Sequence, residues 1–596
     1  MTAKEKIAQL RGLMKEKKLD AYLVNSSDPH QSEYVADRWG TRTWLSGFTG
    51  SAGTLVVTEN EAGLWTDSRY FIQAERELKD SGIELKKQGI PHAPEHLDWL
   101  KEQLSPNSQL GFDGQVTSLT QARYLKQKLG SKGIHLVGQY DLADKIWTDR
   151  PSLPQSFVFE HNIKFSGASR AEKINRLREW LKKENGHAVF FPALDDIAWV
   201  LNIRASDVES NPVCLSYLLL TKDEVIWCVD DSRVDQPLLS KLEAEGIQLK
   251  AYEETLNELK KIPVSKKLII DPSSISHIFY ESLSANDLVE KNSPVQAMKA
   301  VKNEVEVKNI RKAMQKDGVA LLRLFRWLEQ ELNHRKVSEV EVGAQLARFR
   351  SEQEHYHGES FGAIVGYKGN GAIVHYSARE DSCAYLEKEG MLLLDSGGQY
   401  WDGTTDITRT VLLGGTPSPE QKEHYTLVLK GMIGLSQVRF PKGTSGLQLD
   451  VLARQYLWTA GLNYGHGTGH GVGFFLNVHE GPQSITANAN AAKGRTSLEP
   501  GMLTSNEPGF YRENHYGIRI ENLVLCIEDQ QTDYGQFLKF ETMTMFPISH
   551  DLIEQSMLNT SEINWLNAYH QKVYDELSPF VHEAEEVWLK EKCAAL

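Results

Sequence analysis

Gly390-Met-Leu-Leu-Leu-Asp395-Ser-Gly-Gly398, followed by Tyr400-Trp-Asp-Gly-Thr-Thr-Asp406-Ile-Thr-Arg-Thr410, is an apolar run that delivers a carboxylate at its end, then a glycine turn and a return segment. The alternation through Asp406, Thr408, Thr410 and Leu412 has the period of two that marks a strand. A hairpin of this kind sets Asp395 beside Asp406. Adjacent carboxylates repel unless a cation or a shared proton relieves them. A metal is the natural reading of the pair, the alternative being two unrelated surface acids near a turn.

Downstream, Tyr464-Gly-His466-Gly-Thr-Gly-His470-Gly-Val-Gly473 spaces two histidines four apart, as in zinc proteases. The intervening glycines disfavour a helix, and no Glu follows His466, so an H-E-x-x-H site is excluded. An extended or looped backbone leaves His470 available as a single imidazole ligand, or as a loop histidine with ordinary partners. Two glutamates complete the set: Glu507 in Thr504-Ser-Asn-Glu-Pro-Gly509, and Glu521, which shares one face of an apolar strand with Arg519 in Tyr516-Gly-Ile-Arg-Ile-Glu-Asn522.

Upstream, the chain repeats itself. Trp44-Leu-Ser-Gly, a strand, and Leu64-Trp-Thr-Asp-Ser-Arg-Tyr70 are echoed by Trp199-Val-Leu-Asn, a strand, and Ile226-Trp-Cys-Val-Asp-Asp-Ser-Arg-Val234. Two tandem domains of one fold are the simplest account. In the first copy, AYLVN (Ala21 to Asn25), GTLVVT (Gly53 to Thr58) and GLWTD (Gly63 to Asp67) read as strands and Tyr70 to Asp80 as a helix, an α/β layer. Pro151 and Pro154 mark a linker near residue 155. A long amphipathic helical stretch begins near Gln296, and the tail after about His550 reads as packed helices, with Trp565, Tyr569, Val573 and Leu577 on one face. The expected divisions are therefore 1–155, 156–297 and 298–596, the last ending in a helical extension from about 550.

At 596 residues the chain exceeds a single core, and its 40% hydrophobic and 24% charged content is that of a folded protein. Its net charge of −14, with only short Lys-rich pieces beside acids, speaks against a nucleic-acid partner. Five scattered cysteines without a C-x-x-C pair argue against disulfides and thiolate metal sites and suit a reducing compartment. The charged amphipathic N-terminus (Ile7, Leu10, Leu13, Met14) lacks signal-peptide character, and no run of about 18 apolar residues predicts a membrane span.

The order Asp, Asp, His, Glu, Glu in this Gly-rich setting resembles the pita-bread metallopeptidases, the fold of methionine aminopeptidase, prolidase and Xaa-Pro aminopeptidase. VHYSA around His375 and Asn477-Val-His479-Glu-Gly-Pro482 are similar to the flanking histidine motifs of the proline-specific branch. DPHQSEY (Asp28 to Tyr34), SGFTGSAGT (Ser46 to Thr54) and WTDSRY (Trp65 to Tyr70) resemble the front domain of the long, cytosolic, three-domain Xaa-Pro aminopeptidases. The resemblance spans the chain and implies an α/β and α+β architecture: two tandem creatinase-like domains, then a pita-bread catalytic domain.

By that resemblance the metal ligands are Asp395, Asp406, His470, Glu507 and Glu521, with Asp406 and Glu521 bridging two ions. The oxygen-rich set favours Mn2+ over zinc. The implied reaction is removal of the N-terminal residue from peptides with proline second, by attack of a metal-bridged hydroxide on the Xaa-Pro bond. Glu507 would act as general base, His479 would stabilise the oxyanion, His375 and His466 would shape the substrate side, and Arg519 would orient the ligands. An Xaa-Pro bond offers no N–H to a peptidase that grips the backbone, so a dedicated pocket is needed. A cytoplasmic homodimer acting on peptides is also implied, with no nucleic-acid or membrane partner. The alternatives are a prolidase, usually shorter with one front domain, and an inactive pita-bread binding protein that has lost ligands.

Overall fold

The computed structural model describes residues 1–67, 69–89 and 94–596. Two compact units are present, Met1–His161 with Ala168–Val295, and Asn162–Gly167 with Gln296–Leu596.

The first unit holds two six-stranded sheets. In one, the strands run in the spatial order Glu84–Lys87, Ala62–Thr66, Thr54–Thr58, Ala21–Val24, Gln109–Phe112, His135–Val137. In the other the order is Ile247–Lys250, Val225–Cys228, Tyr217–Thr221, Ala188–Phe191, Lys267–Ile270, Asp287–Glu290. Both sheets pair parallel, antiparallel, antiparallel, parallel, parallel in that order. The repeat seen in the sequence is thus a repeat of topology. All three strands read in the first copy form, and the helix read over Tyr70 to Asp80 is Phe71–Glu77.

The echoed Trp44 and Trp199 sit on helices Thr41–Ser46 and Leu194–Leu201. Of the echoed Asp-Ser-Arg triplets, Ser68 lies outside the described residues. Arg69 grips its own triplet's Asp67 through two bonds of 2.7 Å, whereas Arg233 reaches Asp207 at 2.6 Å. His30 of the DPHQSEY segment is buried, with Nδ1 2.8 Å from the Pro192 carbonyl and Nε2 2.9 Å from the Tyr252 hydroxyl, so this motif joins the two sheets' surroundings.

The second unit begins with a correction. The long helix expected from Gln296 is two helices, Pro294–Ala300 and Glu304–Glu331. Asn303 interrupts it: its side chain caps the second helix by accepting from Val305 and Glu306 N–H groups, and Glu306 returns a bond to the Asn303 N–H. Val301 meanwhile bridges to Met502 as an extended residue.

Behind these helices lie a three-stranded sheet (Ile364–Tyr367, Gly390–Ser396, Ile407–Gly414) and an antiparallel six-stranded sheet. The latter runs Arg439–Pro441, Gly535–Thr542, Asn522–Thr532, Leu503–Asn506, Gly469–Gly471, Glu480–Ile485. A hairpin, Gly509–Arg512 with Tyr516–Arg519, completes the frame. Leu392, Leu394, Ile407, Ile518 and Leu523 from the strands pack with Leu322 and Phe325 of the long helix and Val428 and Met432 of helix Pro419–Ser436. The tail forms helices Thr560–Leu577 and Glu583–Lys592, and Tyr569, Val573 and Leu577 are buried as the periodicity predicts. All five cysteines are free. Among the described residues, no helix is long and apolar enough to cross a membrane.

Candidate metal centre

The two apolar strands of the opening motif pair as the alternation predicts, but in a register that sets Asp395 opposite Thr408 and Ser396 opposite Ile407. Asp406 precedes the return strand by one residue. It therefore shares a face with Thr408, two positions on, and reaches the same space as Asp395 from the strand's end. The turn between them is itself folded: Gly398–Tyr400 pairs with Gly403–Thr404 and with Tyr356–Glu359.

His470 lies on the short strand Gly469–Gly471, extended as its glycines suggest. Those glycines have a packing cause. A β-carbon at residue 469 would stand 1.9 Å from the Ser505 carbonyl oxygen, and one at 471 would stand 2.3 Å from that of Glu480. Only glycine lets the neighbouring strands close on the histidine. Glu507 follows strand Leu503–Asn506, its N–H donating to the Thr468 carbonyl at 2.8 Å. Glu521 occupies the short link between strands Tyr516–Arg519 and Asn522–Thr532. Its N–H donates to the Thr408 carbonyl at 3.1 Å, and its carboxylate accepts from Thr408 Oγ1 at 2.8 Å.

These elements converge. Ligand atoms of Asp406, His470 and Glu521 all lie within 4.8 Å of one another. His470 Nε2 is 3.5 Å from Asp406 Oδ2 and 3.6 Å from Glu507 Oε1. Asp395 joins through Arg519, whose Nη2 and Nε donate to Asp395 Oδ2 at 2.5 and 3.1 Å, while Nε also approaches Thr408 Oγ1 at 3.2 Å. Asp395 Oδ1, equally buried, has no hydrogen-bond partner.

The electrostatics match this crowding. Burial first, then the carboxylates of Glu521, Asp395 and Glu507, push the Asp406 carboxyl well above the usual range, Arg519 opposing. Burial and then Glu521 do the same to Glu507. Glu521 is raised to about 8, by burial and then by Asp395. Without a cation, a cluster of this kind holds protons it would not hold in water. The mutual repulsion, the hard oxygen donors, one imidazole and the orphaned Asp395 oxygen together fit divalent metal ions.

The accessory histidines surround this cluster. The His479 ring stands nearly perpendicular to His470, with centroids 4.4 Å apart. His466 Nε2 is 2.8 Å from the Tyr511 hydroxyl, which accepts from Arg519 Nη1 at 2.6 Å. His466 Nδ1 lies 2.8 Å from the Gly467 carbonyl, so the ring donates there and accepts from Tyr511. His375 follows Val374, whose carbonyl is 3.4 Å from Arg519 Nη2. Arg519 thus links Asp395 to Tyr511, the partner of His466, and to the Val374 carbonyl beside His375.

The histidine loops are held by buried charge. Arg454 donates to the carbonyls of Tyr464 and His466 at 2.7 and 2.6 Å while paired with Asp450 at 2.6 Å. Glu480, next to His479, binds Lys299 and Lys302 at 2.9 and 2.8 Å, all three buried.

Sequence reasoning missed Tyr511 and Thr408. Thr408 carried a signal, its two-residue spacing from Asp406. Tyr511 carried none, since its role shows only where His466, 45 residues earlier, meets the hairpin that pairs Tyr511 with the strand of Arg519.

Comparison with known proteins agrees with this geometry. Residues 308–528 match the model of metallopeptidase family M24 and 536–596 its C-terminal region, while 6–146 and 149–306 each match a creatinase/prolidase N-terminal domain. A probable Xaa-Pro aminopeptidase P of Laccaria bicolor is 42% identical over 99% of this chain and 93% of its own. The chain belongs to the Xaa-Pro aminopeptidase branch of metallopeptidase family M24. Aminopeptidase P2 of Arabidopsis thaliana is 39% identical over 98% of this chain and 87% of its own. The crystal structure of X-prolyl aminopeptidase from Caenorhabditis elegans, described as a cytosolic enzyme with a di-nuclear active site, superposes over 100% of both chains with a TM-score of 0.94 at 35% identity. The protein is a metallo-aminopeptidase with two creatinase-type domains before a pita-bread domain, and these relatives favour neither the prolidase nor the inactive binding protein.

Proposed function

We propose that the protein releases the N-terminal residue from peptides with proline at position 2, using two divalent ions that Asp395, Asp406, His470, Glu507 and Glu521 would hold. The observation that carries this reading is the convergence of Asp406, His470 and Glu521, joined by Glu507 beside His470 and by Asp395, whose buried Oδ1 has no hydrogen-bond partner. The hard donor set supports Mn2+. When bound, such ions acidify a shared water enough to supply a nucleophile near neutral pH.

The chain's own residues do the rest. Glu507, which accepts from Ser505 Oγ at 3.3 Å, takes the water's proton and passes it to the departing proline nitrogen, a general-base role that contributes about 10²–10⁴-fold. His479, against the His470 ring, donates to the oxygen that becomes negative as the carbonyl is attacked. His375 and His466 shape the side on which proline sits. Arg519 fixes Asp395 by two hydrogen bonds and, through Tyr511, orients His466.

The matched family segments support functional divisions at 1–155, 156–297 and 298–596, with the helical extension from about 550. The cytosolic description of the nematode enzyme supports a cytoplasmic location, and the family resemblance a homodimer whose partners are peptides. The deciding experiment assays an Arg-Pro-Pro-type peptide, a Gly-Pro dipeptide and a peptide without proline, with and without Mn2+. Mn2+-dependent release of the first residue from the first substrate alone is expected. Preference for the dipeptide would establish a prolidase instead.

A further inference from the structure

Glu339 is the first residue of helix Glu339–Ser351 and has no solvent exposure. Its two carboxylate oxygens accept from the Tyr367 N–H at 2.8 Å, from Asn370 Nδ2 at 3.0 and 3.1 Å, from the Tyr376 hydroxyl at 2.8 Å and from the Ala384 N–H at 2.7 Å. Glu339's own N–H donates to the Ala384 carbonyl at 3.1 Å. These partners span Tyr367 to Ala384, a segment with no helix or strand between Ile373 and Ala384. A loop without regular hydrogen bonding takes its shape from whatever satisfies its polar groups, and here one side chain holds two points of it, Tyr376 and Ala384, and ties them to Tyr367 and Asn370 just before it.

His375 lies near the start of that loop. On one side, the Val374 carbonyl meets Arg519 Nη2 at 3.4 Å; on the other, Tyr376 is tied to Glu339 and also receives Asn370 Nδ2 at 3.1 Å. The donors to Glu339 named here are all neutral, so the carboxylate is held by directed hydrogen bonds and its position is geometrically defined. We infer that Glu339 is a positioning residue for the reaction: through Tyr376 and Asn370 it sets the place of His375 beside Arg519. This rests on the reading of His375 as a substrate-side residue.

The test uses the metal-loaded full chain and an Xaa-Pro-Pro peptide. Glu339→Gln keeps the side-chain volume but turns one acceptor into an N–H that faces other donors. Tyr376→Phe removes a single hydroxyl. Each should impair the same parameter, kcat or KM, that His375→Ala impairs, Glu339→Gln by about tenfold or more and Tyr376→Phe by less. In a His375→Ala background each should add less than about twofold, because the histidine they place is gone.

Full, multiplicative losses in that background would overturn the inference, as would wild-type kinetics in both single variants. If Glu339→Gln does not fold, Tyr376→Phe decides by the same comparison. An unimpaired His375→Ala enzyme would instead remove the reading of His375, and this inference with it.

Discussion

Asp406 sits where three other carboxylates raise its proton affinity, which makes it a good site for a cation and a poor one for anything else. Asp406→Ala should therefore abolish peptidase activity while the protein stays folded, since the substitution relieves repulsion and removes no apolar packing. Turnover near wild type would sink its assignment as a ligand. His479→Ala tests a different role. It leaves every proposed ligand in place, so metal content should be unchanged, while loss of a donor aimed at charge that appears only in the transition state should lower kcat about 10²–10³-fold with less effect on KM. Steady-state kinetics with metal analysis of the same sample decides, and a pure KM effect would mean that His479 only lines the pocket. At this scale the five proposed ligands stood out as candidates because each stands in a motif of its own. Tyr511, Glu339 and Glu480 did not, because their importance lies in partners that are far away in sequence.

Short elements carry these residues, and two of them make their own predictions. The Glu480 carboxylate anchors the start of strand Glu480–Ile485 to two buried lysines, Lys299 and Lys302. Glu480→Gln removes the carboxylate that both lysines share and should cost about 3–5 kcal/mol, whereas Lys302→Met keeps the Lys299–Glu480 pair and should cost less. Denaturant unfolding of the two variants measures the difference, and equal costs would refute the charge argument.

The C-terminal helix Thr560–Leu577 docks partly through buried His570, whose Nε2 accepts from the Ile548 N–H at 3.1 Å while Nδ1 lies 3.1 Å from His550 Nε2. Burial, then His550 and Arg409, lower its pKa from 6.5 to about 3. A base depressed in the folded state stabilises fully above its unfolded pKa, and that stability is lost as pH falls from 6.5 toward 3. Tm should thus decline below about pH 6.5, and the decline should be shallower in His570→Gln. Parallel slopes for the two proteins would exclude His570 as the cause. The helix itself was legible from the spacing of Tyr569, Val573 and Leu577. That its neighbour His570 is a buried pH-sensitive contact was not, since a histidine on an apolar face shows no partner in sequence.

For the whole molecule, the decisive measurement is the metal count. Elemental analysis under saturating Mn2+ should give two ions per chain, and their removal should lower both activity and Tm, because ions that bind only the folded chain stabilise it by mass action. One ion or fewer would count against a dinuclear site. The sequence alone determined the tandem repeat, the strand alternation around Asp395 and Asp406 and the extended backbone at His470, because these depend on periodicity and backbone preference, both local properties. Tertiary structure alone decided the register that sets Asp395 against Thr408, the path from Asp395 through Arg519 and Tyr511 to His466, and the hold of Glu339 on the His375 loop. Each of those depends on which distant groups are within about 3 Å of one another, and hydrogen bonds and charge repulsion act over that distance in space whatever the separation along the chain.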